Sequence, residues 1–190
     1  KTTAAISSPR ELHASARYTL TQEHLSYLTS RGATYDSDSK QGKDDLDKLK
    51  SIPNRIEEAK REMSANHDRR AEIVVNELIR DLGQSVMEVN ILKMKILLKL
   101  QRPEEALNMS NSLMRAGHSG DVSLLMARAE CLYGMGDIDN AIKHLSQAMR
   151  SDPDNVIARK ELKRVKEVAD VKGQGSEAYK QGNYQEAIDR

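Results

Sequence analysis

Small side chains recurring at a fixed interval constrain this chain more than any other feature. Ala71, Ala106 and Ala141 stand 35 residues apart, and Ala59, Met94 and Ala129 keep the same interval twelve residues earlier. Gly83, His118 and Pro153 follow each alanine at the same distance. A period of this length marks a supersecondary unit that stacks on copies of itself. The best-defined copy is VSLLMARAECLYGMGDIDNAIKHLSQAMRSDPDN, residues 122–155. Leu125, Ala129, Leu132 and Tyr133 form one apolar face at helical spacing. Gly134, Gly136 and Asp137 break the period. Ala141, Ile142, Leu145 and Ala148 form a second face, and Pro153 stops that helix because it cannot donate the next backbone hydrogen bond. Ala129 and Ala141 are small enough for two helix axes to approach closely, and Gly136 can take the conformation that turns the chain between them.

The interval predicts helix pairs at 45–65 with 69–82, 86–100 with 103–116, and 121–134 with 137–150. Pro103 opens the second helix of its pair, where a missing donor costs nothing. Pro53 is expected to trim the opening of the first pair. The rhythm then changes, since Ala187, the next matching alanine, lies 46 residues after Ala141. The intervening VIARKELKRVKEVADVK carries Ile157, Leu162, Val165 and Val168 as an apolar stripe. It reads as a long charged helix running directly into a new repeat, KGQGSEAYKQGNYQEAIDR. Upstream, residues 1–9 are small and polar, Glu11–Thr29 suggests one helix or two, and Arg31–Asp47 lacks an apolar period and reads as a mobile loop. The expected organisation is therefore 1–47 as a partly flexible helical and loop segment, 48–155 as degenerate repeats, and 156–190 as a linking helix with the start of a further repeat. Because the last repeat stops mid-helix, the sequence reads as a piece of a longer protein.

Composition agrees with thin layers rather than one thick core. Of 190 residues 31% are charged and 3% aromatic, with no Trp or Phe. Few segments alternate as strands do. A formal net charge of +1 gives no global field towards nucleic acid. The single cysteine, Cys131, lies on an apolar helix face and reads as a buried small hydrophobe. The longest apolar run, Ile91–Leu100, is broken by Lys93, Lys95 and Lys99, so it does not read as a membrane span.

Small residues, glycine, the two alanines and proline of 122–155 all fall where a tetratricopeptide repeat (TPR) places them, although Leu125, Arg128 and Leu145 stand where that family usually has Trp, Leu and Phe. In the last repeat Gly175, Ala178, Tyr179, Gly182, Tyr184 and Ala187 fit the same pattern. The order of degenerate repeats, a repeat ending SDPDN, the charged RKELKRVKEVADVK and then KGQGSEAYKQGNYQEAI resembles the TPR region of J-domain co-chaperones over about residues 50–190. The resemblance implies an all-α right-handed solenoid of antiparallel helix pairs whose first helices line a groove. It also implies a protein-interaction scaffold that binds heat-shock chaperones or their clients without catalysis, in the cytoplasm, with the nucleus or the lumen of the endoplasmic reticulum as alternatives. The His-Pro-Asp motif of a J domain is absent from this sequence.

TPR domains that grip acidic chaperone tails use a lysine and, four residues later, an asparagine on the first helix of a repeat. Lys172 matches the lysine. Ser176 stands at the asparagine position and offers one hydroxyl donor instead of an amide. The equivalent positions are Met126 and Glu130 in the central repeat, where Glu130 would repel a carboxylate, and Ile91 and Lys95 in the repeat before. No complete clamp is present. Lys95, Glu130, Lys172 and Ser176 are the candidate peptide-contacting residues, chosen by repeat position.

Other patterns read as structure. Asp36, Asp38 and Asp47 resemble a calcium loop, but the glycine and the twelfth position are wrong. Gly173, Gly175 and Ala178 form a GxGxxA string after a helix rather than a strand, which argues against a dinucleotide site. His13, His24, His67, His118 and His144 lack metal-ligand spacing. Asn108 begins a formal glycosylation sequon inside an expected helix. Arg159, Lys160, Lys163, Arg164 and Lys166 form a basic face with Glu161 and Glu167 interspersed, and no aromatic residues to stack on bases. No nucleophile–base pair or carboxylate pair is visible, and no cofactor, metal or small-molecule substrate is expected. The remaining alternative is a TPR scaffold subunit of a complex unrelated to chaperones.

Overall fold

The computed structural model describes the backbone of residues 40–82 and 86–190, and side chains from residue 51 onward. The helical stretch expected at Glu11–Thr29, together with His13, His24, Asp36, Asp38 and Gly83, lies outside the described residues. Among those residues there are eight α-helices and no strand: α1 Lys40–Ser64, α2 Asp68–Leu82, α3 Met87–Lys99, α4 Pro103–Leu113, α5 Val122–Gly134, α6 Ile138–Ser151, α7 Val156–Lys180 and α8 Tyr184–Asp189. A single π-turn, Met114–His118, follows α4 and ends where Gly117 takes φ 104°. The fold class is all-α, built from TPR-type helix pairs. The chain forms two compact units, the first ending at Ile96 and the second starting at Leu97.

The first unit packs α1 against α2 and includes the greater part of α3. Its core holds Ile52, Ile56 and Ala59 from α1, Ala71, Val75 and Leu78 from α2, and Val89, Leu92 and Met94 from α3. Ion pairs tie α3 to both partners: Lys60 Nζ to Glu88 at 2.9 Å and Lys93 Nζ to Glu72 at 2.6 Å. Helix α1 differs from its sequence reading. It begins at Lys40, inside the stretch expected to be a loop, and continues through Pro53. Ile52, Ile56 and Ala59 keep an i, i+4, i+7 stripe across that proline, and their burial offsets the backbone bond that Pro removes.

The second unit packs α4 against α5, α5 against α6, α6 against the first half of α7, and the second half of α7 against α8. Ala129, Leu132, Ala141, Leu145 and Val165 form one buried cluster, with Leu107, Tyr133, Ile138 and Leu162 around it. Leu125, Ala148 and Ala158 form a second. The repeat alanines occupy equivalent settings across both units: Ala71, Ala106 and Ala141 are each 0% exposed. At that position a larger side chain would push two helices apart, which is why the spacing is readable in the sequence.

Each helix pair closes in the same way. Asn66, Gln101, Gly136 and Gly182 have φ of 58°, 59°, 80° and 79°. In every case the following amide reaches back five residues: His67 to the Glu62 carbonyl, Arg102 to Leu97, Asp137 to Leu132 and Asn183 to Ala178, each at 2.9 Å. The left-handed residue itself donates three residues back, as Gly136 does to Tyr133 at 2.9 Å. This paired pattern satisfies carbonyls that the helix end leaves open. Helices α5, α6 and α7 are capped by side chains, while Asn183 at the start of α8 makes no such bond. Asp121 accepts from the Leu124 amide at 2.8 Å, Asp137 from Asn140 at 3.3 Å and Asn155 from Ala158 at 2.9 Å.

Candidate functional site

The four residues chosen by repeat position are all solvent-exposed, as a residue must be to meet a partner. Lys95 lies in the first unit, and Glu130, Lys172 and Ser176 in the second. Lys172 and Ser176 stand one turn apart on α7 and line the same open groove, of about 530 Å³, between α7 and α8. Val168 and Val171 from α7 and Ala187 from α8 give it an apolar floor, while Arg164, Lys172 and Arg190 oppose one carboxylate, Glu167. Glu130 is not among its lining residues.

The groove's shape follows from small side chains. A Cβ at Gly175 would stand 3.7 Å from the Ala187 carbonyl oxygen and 3.5 Å from the Arg190 Cβ, so α7 and α8 meet closely there. Ala129 and Ala141 play the same part in the central pair. Two of the three cations are held. The Arg164 guanidinium donates to Glu161 at 2.6 Å and lies 4.8 Å over the Tyr133 ring. The Glu161 bond holds its proton more tightly than usual. Arg190 reaches Glu186 at 3.3 Å. Lys172 Nζ is in no ion pair among the described residues, and the Ser176 hydroxyl donates to the Lys172 carbonyl at 2.8 Å. Ser176 therefore spends its one donor on its own helix and presents only lone pairs outward. Beside the groove Tyr179 and Tyr184 pack edge to face with centroids 5.5 Å apart, both largely exposed, as is Ile188.

A second polar cluster lies between helices, and position in the sequence did not show it. Arg128 on α5 donates through Nε to His144 Nε2 on α6 at 3.0 Å, and through Nη1 to Ser110 Oγ and Asn111 Oδ1 on α4, both at 2.6 Å. Ser110 is fully buried and donates in turn to the Leu107 carbonyl at 2.7 Å. All three partners of Arg128 are neutral. Burial lowers the Arg128 pKa, and it lowers that of His144 too, with the positive charges of Arg128 and Lys143 adding to the effect. Because His144 Nε2 accepts, the imidazole is neutral and its proton sits on Nδ1, which is buried without a partner. The available signal was Arg128 itself, a charge at a position the repeat family fills with leucine. Cys131 is fully buried, and burial pushes its thiol up to about 12, so the thiolate is scarce at neutral pH. Among the described residues no group of His, Cys, Asp and Glu is placed to hold a metal ion, and no helix is long and apolar enough to cross a membrane.

No protein-family model matches the chain. A stretch of 70 residues is 34% identical to the DnaJ homolog subfamily C member 7 homolog of Schizosaccharomyces pombe, covering 37% of this chain and 15% of that protein. The Dictyostelium discoideum homolog is 25% identical over 161 residues, which is 84% of this chain and 29% of that protein. The human DnaJ homolog subfamily C member 7 is 32% identical over 99 residues, covering 52% and 20%. In structure the chain is similar to the crystal structure of the P58(IPK) TPR domain, with a TM-score of 0.58 at 17% identity, over 78% of this chain and 42% of that one.

The chain resembles the TPR region of J-domain co-chaperones. It spans less than a third of the length of those curated relatives, between 15% and 29%. The likeness in structure, at its low identity, speaks for the TPR fold alone.

Proposed function

We propose that this chain is a co-chaperone-like TPR adaptor, which holds a chaperone or client segment along its helices and performs no catalysis. The observation that carries the reading is the open α7–α8 groove, where Lys172 and Ser176 stand one turn apart over an apolar floor. The similarity to DnaJ homolog subfamily C member 7 proteins supports the choice of chaperones as partners. Lys172, the lining cation in no ion pair among the described residues, favours a segment carrying acidic residues. Ser176 lacks the amide donor of a full carboxylate grip, so apolar contact with Val168 and Val171 supplies a larger share of the binding. Lys95 and Glu130 adjust charge preference on the surfaces that carry them. A cytoplasmic location, and the division at 47 and 155 into an N-terminal segment, degenerate repeats and a charged linking helix with the start of a further repeat, belong to the same proposal.

The test is recovery of heat-shock chaperones from a lysate on the immobilised full-length protein, with Lys172→Ala alongside. Recovery that falls at least several-fold in the variant supports the docking reading. Equal recovery removes Lys172 from the site, and absence of chaperones from the wild-type eluate overturns the choice of partner.

A further inference from the structure

Helix α7 is one continuous rod of 25 residues, yet its two ends are held by different neighbours. At its start, Val165 belongs to the buried cluster with Leu145 of α6, and Ala158 to the cluster with Ala148. At its end, Ala178 is buried and Gly175 lies against α8. Between the two, Asp170, Val171, Lys172, Gly173 and Gln174 are all exposed, more than a full turn with no buried side.

Gly173 sits in the middle of that bare turn. A Cβ there would meet nothing within 4 Å, and its φ is not in the left-handed region. Neither packing nor backbone geometry calls for glycine there. In a helix interior glycine disfavours the helical state about five-fold relative to alanine. Ser176 weakens the same turn, because its hydroxyl competes for the Lys172 carbonyl at 2.8 Å. The helix is thus weakest in propensity where nothing else supports it.

We propose that α7 is hinged at Lys172–Gln174, so that the terminal hairpin of α7's end and α8 swings relative to the α5–α6 pair. The hinge divides the groove. Arg164, Glu167 and Val168 move with the α6-bound half, and Ser176, Ala187 and Arg190 with the α8-bound half. Opening the bare turn widens the groove without exposing the buried clusters on either side. The inference stands whether or not the groove takes a partner.

Amide hydrogen exchange on the full chain tests it. In the wild type, the amides of Gln174–Glu177, whose helical acceptors lie in the bare turn, exchange faster than those of Leu162–Lys166 in the same helix. Gly173→Ala slows the first set by about five-fold and leaves the second set, and the amides of Leu132 and Leu145, unchanged. Spin labels on the exposed Lys163 and Gln185 give a broad distance distribution that narrows in Gly173→Ala. Uniform exchange along α7, or a variant that changes neither readout, overturns the hinge. So does a variant that slows every helix equally.

Discussion

Arg128 donates to His144 at 3.0 Å, so two basic side chains share one hydrogen bond between α5 and α6. The bond requires a neutral imidazole, because a protonated His144 would have no lone pair on Nε2 and would face a guanidinium. Burial, Arg128 and Lys143 all lower the His144 pKa in the folded chain. The unfolded chain then binds a proton that the folded chain refuses. Stability is expected to be full above the unfolded value of about 6.5 and to fall as pH drops through and below it. Urea melts between pH 7.5 and 5 measure the slope, and His144→Gln, which keeps an acceptor but does not titrate, flattens it.

Arg128 supplies a second prediction. Its charge is partly desolvated and meets Ser110, Asn111 and His144, with no carboxylate among its hydrogen-bond partners. Replacing such a cation with an apolar side chain of similar reach removes the desolvation cost, while Ser110 keeps its bond to the Leu107 carbonyl. Arg128→Leu also leaves the His144 Nε2 and Asn111 Oδ1 acceptors without their donor, so the two effects offset and its stability is expected to stay within about 1 kcal/mol of the wild type. Arg128→Ala, which leaves a cavity as well, loses roughly 1–3 kcal/mol. The pair of denaturant midpoints decides between a stabilising and a specifying role for the cluster.

The fold was legible where physical demand falls on one residue type. A close helix crossing needs a small side chain, so Ala71, Ala106 and Ala141 announced the repeats, and Ala129 and Gly175 the partner positions. The long α7 and its entry into a new repeat were legible from an apolar stripe that outruns one repeat. What hid was anything a residue does against its type. Asn66 and Gln101 hold the left-handed turn positions that glycine marks at Gly136 and Gly182, and Pro53 lies inside α1 because buried neighbours outweigh it. Of the candidate site, the adjacency of Lys172 and Ser176 follows from helical spacing. Their groove depends on how α8 returns along α7, which local sequence does not encode. The Arg128 cluster draws on three helices, so no single window contains it.

Gln101 offers a prediction of its own. It takes φ 59°, while Gly136, 35 residues on, takes 80° in the same turn. A side chain with a Cβ is strained there by about 1 kcal/mol, and glycine relieves most of it at some cost in unfolded-chain entropy. Gln101→Gly is expected to raise stability by at most about 0.5 kcal/mol, the strain relieved less the entropy cost. Asn66→Gly gains less, since Asn tolerates this conformation. The reverse change, Gly136→Gln, costs about as much as Gln101→Gly gains, and thermal melts of the three variants check the ordering.

Lys93 and Glu72 form the ion pair most withdrawn from water among those described, with side chains only 12% and 17% exposed and 2.6 Å between the charged atoms. Surface pairs contribute little, but here removing one partner leaves the other charge partly desolvated on the α2–α3 contact. Lys93→Met or Glu72→Leu alone is expected to cost roughly 1–3 kcal/mol, between the surface and fully buried cases. The double variant removes both charges and replaces them with apolar surface, so it recovers most of that loss. A double-mutant cycle in urea measures the coupling directly. Single losses that simply add would mean that each side chain acts through its own packing, and that the 2.6 Å contact does not hold α3 to α2.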